Sequence, residues 1–247
     1  MLKHYLYLLI FLVGSKAVFA QTSTSNKLRP IDLVPYAEDS IKRQFAAQKL
    51  NWPPASLLIR SFKYDQQLEV WVKNESNAPY KLFKTYKVCM QSGTTGPKRM
   101  EGDYQVPEGL YYINDFNPNS NYHLSLGLSY PNASDRVLSD SVRPGSAIYI
   151  HGSCVSVGCI AVHNYDIEEL FALTTAVKNT GQDFIPVHVF PARYNKKESL
   201  EYLVNAIKDK PELIQFNKNL RPVYDYFEMK KELPIILVNR KGEYVIN

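Results

Sequence analysis

The chain has little cysteine: three residues in 247, an odd number, so at most one pair can form within it and at least one thiol is left over. It also lacks an apolar run long enough to cross a bilayer. The stretch Tyr5–Val13 falls well short of the ~20 residues a spanning helix needs. No basic run with interleaved aromatics occurs, which argues against nucleic acid as a partner. Repeats and low-complexity blocks are missing as well, apart from the short polar leader "QTSTSNK".

What the first twenty residues do contain is a basic start (Lys3, His4), the short apolar run, and small residues at Val18-Phe19-Ala20. That is the pattern of a cleavable signal peptide over 1–20, and Gln21 rather than a lipid-acceptor cysteine follows the expected cut. Residues 1–20 hold Lys3 and Lys16 and no acid, so removing them lowers the formal charge by two, from +5 to +3. The expectation is an exported, periplasmic protein with no transmembrane segment after cleavage. Its mild positive charge is compatible with approach to a polyanionic wall. In an oxidising compartment the unpaired thiol becomes a candidate reactive group.

The spacing of Ile41, Phe45 and Leu50 predicts a helix over Asp32–Leu50, stopped by "NWPP". Alternating β-rich runs follow at "SLLIRSFKY", "QLEVWVKN" and "YKLFKTYKVCM", with turns at Lys63–Gln67 and Asn74–Pro79. A long loop punctuated by glycine and proline leads to a strand at Leu110–Ile113, and "NYHLSLGLSY" alternates again. The polar excursion "PNASDRVLSDSVRPGS" has the length of a lid. "AIYIHG" reads as a buried strand, Asp166–Lys178 as a helix capped by Asn164, and "DFIPVHVFP" as a further strand. From Asn195 the chain turns helical and charged, then ends on a β-like pair, "PIILVN" and "GEYVI". The expected organisation is a leader and helix at 21–49, a mainly β catalytic body at 50–192, and a helical region at 193–247 packed on that body.

Chemistry concentrates in "AIYIHGSCVSVGCIAVHNYDIEEL", which holds two of the three cysteines and two of the five histidines. Free cysteine is only about 3% thiolate at pH 7, so a nucleophilic role needs a nearby imidazole. His151 can provide it if the loop Gly152–Gly158 folds back towards Cys159. Gly158 lets backbone pass close to a substrate, and the Cys159 amide can face an oxyanion. Two other readings stay open on composition alone: a structural Cys154–Cys159 bridge, and a metal clip of Cys154, Cys159, His151 and His163. His123 and His188 are isolated in sequence, and His188, in an apolar strand, reads as a satisfied core histidine.

The segments "GPKRMEGDYQVPEG", "YHLSLGLSYPNASDR", "IHGSCVSVGCIAV" and "PVHVFPAR", in this order between about Tyr80 and Arg193, resemble the L,D-transpeptidase (YkuD) family in its YafK-type branch. The resemblance implies an α+β fold: a mainly β catalytic domain with peripheral helices, followed by the helical C-terminal region. It implies a cysteine enzyme acting on peptidoglycan stem peptides through a thioester acyl-enzyme, with no cofactor and no resident metal. Carried over by position, Cys159 is the nucleophile, His151 its base, and the Gly152 carbonyl orients the imidazole. Ser156, Gly158 and the Cys159 amide shape the oxyanion loop.

Tyr130 and Arg136 fall where the family places its lid, with Arg136 suited to a substrate carboxylate or to a local pair with Asp135 or Asp140. Lys98 and Arg99 read as solvated loop charges. This sequence departs from the family pattern at Val157, where a histidine is usual, and at Ala161, where an arginine is usual. Those departures leave open transfer to an amine and hydrolysis of stem or protein links to the wall, and a non-enzymatic wall-binding module with an incidental thiol is a further reading. The branch also carries cysteines at the positions of Cys89 and Cys154, which implies a disulfide between them that spares Cys159.

Overall fold

A computed structural model of the chain describes residues 28–247, so the expected signal peptide at 1–20 lies outside the described residues. The first element, α1 (Pro30–Ala47), carries a proline in its first turn and ends at Gln48, just before "NWPP". Three strands follow as an antiparallel meander: β1 (Ser56–Phe62), β2 (Gln67–Lys73) and β3 (Lys81–Lys87). Then come β4 (Gly109–Asn117), β5 (Ser125–Leu128), α2 (Ala133–Leu138), β6 (Tyr149–His151) and β7 (Ile160–Ala161). After them run α3 (Asn164–Asn179), β8 (Pro186–Phe190), α4 (Lys197–Ile207), α5 (Pro211–Lys230) and the hairpin β9 (Ile236–Val238) with β10 (Tyr244–Ile246).

Eight strands form one mixed sheet in the order β3-β2-β1-β8-β4-β5-β6-β7, parallel at β1–β8 and β6–β7 and antiparallel elsewhere. The fold class is α+β. Among the described residues no helix is long and apolar enough to cross a membrane.

Strand periodicity explains how the sheet carries helices on both sides. In β1, Leu57 and Ile59 enter the main core with α1 and α3, while Phe62 enters a second cluster with α4 and α5. In β8, Val187 and Val189 likewise face the first cluster and Phe190 the second. Successive residues therefore point to opposite cores, so these strands are buried on both faces rather than half-exposed.

The exception among these apolar positions is Arg60, which is fully buried. Its guanidinium donates to Glu228 on α5 at 2.6 Å, lies 3.7 Å from Glu69, and sits over the rings of Phe227 (4.5 Å) and Tyr224 (4.7 Å). A charge taken out of water needs such partners. Arg60 is thus the point where the C-terminal helix α5 is joined to the sheet.

Two elements differ from their sequence expectation. Asn164 does not cap α3: the cap position is His163, and the Asn164 side chain turns back to accept from the Ser153 amide at 2.8 Å. The polar excursion at 131–146 is a pinned segment rather than a loose lid. It contains α2, closed by a capping box between Asn132 and Asp135, and Ser134 donates to Gly242 O at 2.6 Å.

His188 is buried as expected, but it is not satisfied, since its Nδ1 has no hydrogen-bond partner among the described residues. Burial, with the nearby Arg60 charge, holds its pKa down at about 3. A folded-state pKa below the unfolded value makes the unfolded chain the stronger proton binder between about pH 6.5 and 3. The His188 contribution to stability is therefore complete above the unfolded pKa and is lost as pH falls through that window. Urea unfolding at pH 7.5 and pH 5 should show a loss of stability on acidification that His188→Leu reduces, by up to about 1.4 kcal/mol per pH unit.

Candidate active site

Cys159 and His151 meet at the end of the sheet. Strands β6 and β7 run parallel with Ile150 opposite Ile160, so Tyr149 lies beside Cys159 and His151 one step on, beside Ala161. Period-two geometry puts Tyr149, His151 and Cys159 on one face while Ile150 and Ile160 enter the core. A cavity of about 300 Å³ is lined by His151 and Cys159 together with Tyr149, Ala147, Tyr122, Ser125, Asn117 at the end of β4, and Ser120 and Asn121 of the β4–β5 connection.

The imidazole is fixed from behind. Its Nδ1 lies 2.6 Å from the Gly152 carbonyl, and since a carbonyl only accepts, Nδ1 carries the proton. Nε2 is left with the lone pair. Gly152 has no room for a side chain: a Cβ would lie 2.7 Å from Asn164 Oδ1 and 2.9 Å from His123 Cβ. Its own amide donates to Tyr122 O at 3.1 Å.

The thiol is held by backbone. The Tyr149 amide donates to Cys159 Sγ at 3.4 Å, and the thiol donates to Ala147 O at 3.8 Å. Burial pushes the Cys159 pKa up, against the Tyr149 amide and the more distant Lys98 charge, which lower it. Burial also pushes the His151 pKa down, partly offset by the bond to Gly152. Both shifts favour uncharged partners, so the resting site holds a thiol and a neutral imidazole rather than a preformed ion pair.

The loop before the cysteine also differs from expectation. Ser156 Oγ donates to Cys159 O at 2.7 Å and accepts from the Cys159 amide at 3.0 Å. The amide expected to face an oxyanion is thus occupied by a hydroxyl that closes a tight local ring. Gly158 adopts φ +110°, in the region where glycine alone is unstrained, and a Cβ there would crowd Gln105 O at 3.3 Å.

Cys89 and Cys154 are joined by a disulfide with Cα atoms 5.4 Å apart, and Cys159 is the free cysteine. The alternative Cys154–Cys159 bridge is therefore replaced by one that spares Cys159. The metal clip is dismantled for the same reason. His163 Nδ1 does lie 3.4 Å from Cys154 Sγ, but that sulfur is already bonded to Cys89, and His151 and Cys159 belong to the separate cavity.

Other candidates fall elsewhere. Tyr130 and Arg136 line a neighbouring cavity of about 450 Å³ with Tyr112 and Asn114, not the one at Cys159. The Tyr130 hydroxyl donates to Pro144 O at 2.8 Å, pinning the 131–146 segment, and burial pushes its pKa up to about 12. Arg136 pairs with neither Asp135 nor Asp140: its Nε donates to Pro131 O at 3.2 Å, while Asp135 is bound by Arg99 at 3.2 Å. Lys98 and Arg99 are not free loop charges. Lys98 is buried against Asp103 at 2.6 Å, and Arg99 lies over the Phe216 ring at 5.3 Å. The Lys98–Asp103 pair closes within the long loop before β4, while Arg99 ties that loop to Asp135 of α2 and Phe216 of α5.

The family profile described as YkuD, L,D-transpeptidase catalytic domain, matches residues 61–189, just over half of the chain. The chain belongs to this family. It is 32% identical over 209 residues to the "Putative L,D-transpeptidase YafK" of Escherichia coli K12, covering 84% of this chain and 79% of that protein. The YafK protein of strain O157:H7 matches equally. Among solved structures, the helical cell shape determining protein Pgp2 from Campylobacter jejuni is 18% identical, with a TM-score of 0.43 over 84% of this chain and 80% of that one. Bd1075 of Bdellovibrio bacteriovorus gives 18% identity and a TM-score of 0.38 over 71% and 67%.

Unreduced, denatured protein should titrate a single thiol, and peptide mapping should place it at Cys159. Closing the 65-residue separation between Cys89 and Cys154 is worth about 4 kcal/mol in the chain-entropy model, so Cys89→Ser with Cys154→Ser should lower stability by up to that amount.

Proposed function

We propose that this family member is an exported, periplasmic cysteine acyltransferase acting on peptidoglycan stem peptides, in wall cross-linking or remodelling. The observation that carries the reading is the free Cys159 sharing one cavity with an imidazole whose Nδ1 is held by Gly152 O. Cys159 Sγ attacks a stem-peptide carbonyl as His151 Nε2 takes the thiol proton. The tetrahedral intermediate collapses to a thioester, and imidazolium returns the proton to the departing amine. An acceptor amine then attacks the thioester and releases Cys159.

With both groups uncharged at rest, the thiol proton moves to His151 Nε2 in the course of acylation. The thiol must first leave its bond to Ala147 O and turn towards Nε2. As that happens, the Tyr149 amide remains a donor to the sulfur as it takes on negative charge.

A second reading, hydrolysis of stem or protein links to the wall, is favoured by one position. Ala161, where the family usually has arginine, is fully buried and pairs with the backbone of Cys89 and Met90. This position therefore offers no guanidinium to help recognise the donor. Water in place of the acceptor amine then gives cleavage.

A carbapenem, whose strained ring imitates an acyl donor, should add once to the protein by intact mass, and the adduct should vanish in Cys159→Ser. An adduct that survives that substitution overturns the nucleophile. His151→Ala should slow acylation by roughly 10²–10⁴, whereas His163→Ala should do far less. Mass analysis of muropeptides after incubation with sacculi separates the two reactions: new cross-linked species mark transfer, and shortened stems or released peptide mark hydrolysis.

A further inference from the structure

Behind His151 lies a set of contacts that the acyl-transfer chemistry does not itself use. The β4–β5 connection passes over the imidazole, and the ring of Tyr122 packs against it with centroids 4.9 Å apart at 37°. That connection is tightly held. The Tyr122 amide donates to Ser120 Oγ at 3.0 Å, and Ser125 and Ser120 share a hydroxyl contact at 2.5 Å. The next residue, His123, sits at φ +76°, in the left-handed region a non-glycine side chain rarely adopts.

Its Nε2 meets Glu168 Oε1 on α3 at 2.6 Å, and both side chains are largely buried. A residue kept at a disfavoured φ by a short hydrogen bond to another element is over-determined by its surroundings. The circuit closes on the active site itself, because Tyr122 O accepts from Gly152 N, and Gly152 O holds His151 Nδ1.

We infer that Tyr122 is a positioning residue for the His151 base, and that the His123–Glu168 pair is the clasp that fixes Tyr122 over the imidazole. The chemical need is plain. When His151 Nε2 takes the Cys159 proton, a buried imidazolium forms in a site that disfavours charge. An aromatic face packed on that ring is attracted to the cation more than to the neutral imidazole, which is the differential stabilisation that lowers a barrier. Tyr122 also covers the open side of the imidazole, being itself only half exposed at 48%. It thereby limits the ring to the plane set by Gly152. Glu168 acts at one remove, through His123 and the backbone of Tyr122.

The role rests on the Proposed function only in making His151 the base of Cys159. It is therefore tested by a reaction that needs no wall substrate: alkylation of Cys159, the free cysteine, by iodoacetamide at neutral pH. Tyr122→Leu should slow alkylation by about threefold to thirtyfold, the range of one cation–π contact, and Tyr122→Phe, which keeps the ring, should restore most of the rate. Glu168→Ala should slow it in the same direction. In a double-mutant cycle Glu168→Ala should add little once Tyr122 is already Leu, because it acts through that ring.

Circular dichroism and thermal midpoints separate loss of folding from loss of positioning. Equal rates for Tyr122→Leu and wild type overturn the inference. So do Phe and Leu variants that are equally slow, or fully additive effects of Tyr122→Leu and Glu168→Ala. Failure of carbapenem acylation with the alkylation pattern intact would instead overturn the acyl-transfer reading and leave Tyr122 as the steering residue of a reactive thiol.

Discussion

The covalent bond between Cys89 and Cys154 sets the terms for the rest of the site. Three thiols in an oxidising environment have three ways to pair, and only one of them leaves Cys159 available. The bond also ties the end of the third-strand segment to the loop Gly152–Gly158, whose two ends are fixed by the His151–Gly152 contact and the Ser156–Cys159 ring. Ser153 and Cys154 themselves adopt positive φ, conformations that an unrestrained loop would leave. The disulfide, the Asn164 side chain on the Ser153 amide and the tight fit at Gly152 together hold them there. The free sulfur thus sits at the end of a loop that cannot relax towards the other two.

A neutral resting pair suits that arrangement. A standing thiolate would be open to oxidation and to exchange with passing thiols. Burial favours a protonated Cys159 and an uncharged His151. The cost is a higher barrier to thiolate formation, which makes the orientation of the imidazole matter more.

Much of the fold was legible because strand composition and helix breakers are local signals. "SLLIRSF" and "PVHVF" are short runs rich in branched and aromatic apolar residues, and "NWPP" can only end a helix. His151 and Cys159 were visible as neighbours in sequence around glycine. What sequence hid was contact across elements. Tyr122 belongs to a turn between other strands, and nothing in "NYHLSLGLSY" distinguishes a tyrosine that packs on His151 from one facing water. Arg99 looked solvated because its partner Asp135 comes into reach only when the loop folds onto the body, and Lys98 because the loop turn that brings Asp103 to it is not a periodic signal. Asn164 had the right chemistry for a helix cap, and another segment claimed it. For His188 the pattern revealed burial but could not reveal that its ring nitrogen would go without a partner.

Arg60 has a consequence for how such a chain can change over evolutionary time. Its guanidinium is a central-strand residue whose counter-ion and part of whose aromatic surround come from the C-terminal helix α5. Glu69, its neighbour on β2, is also claimed by Arg193. A recombination event that carried off the sheet without the helix would strand a cation in an apolar interior with half its compensation gone. Losing that helix would therefore weaken the sheet at Arg60 as well as removing the packing the helix itself supplies.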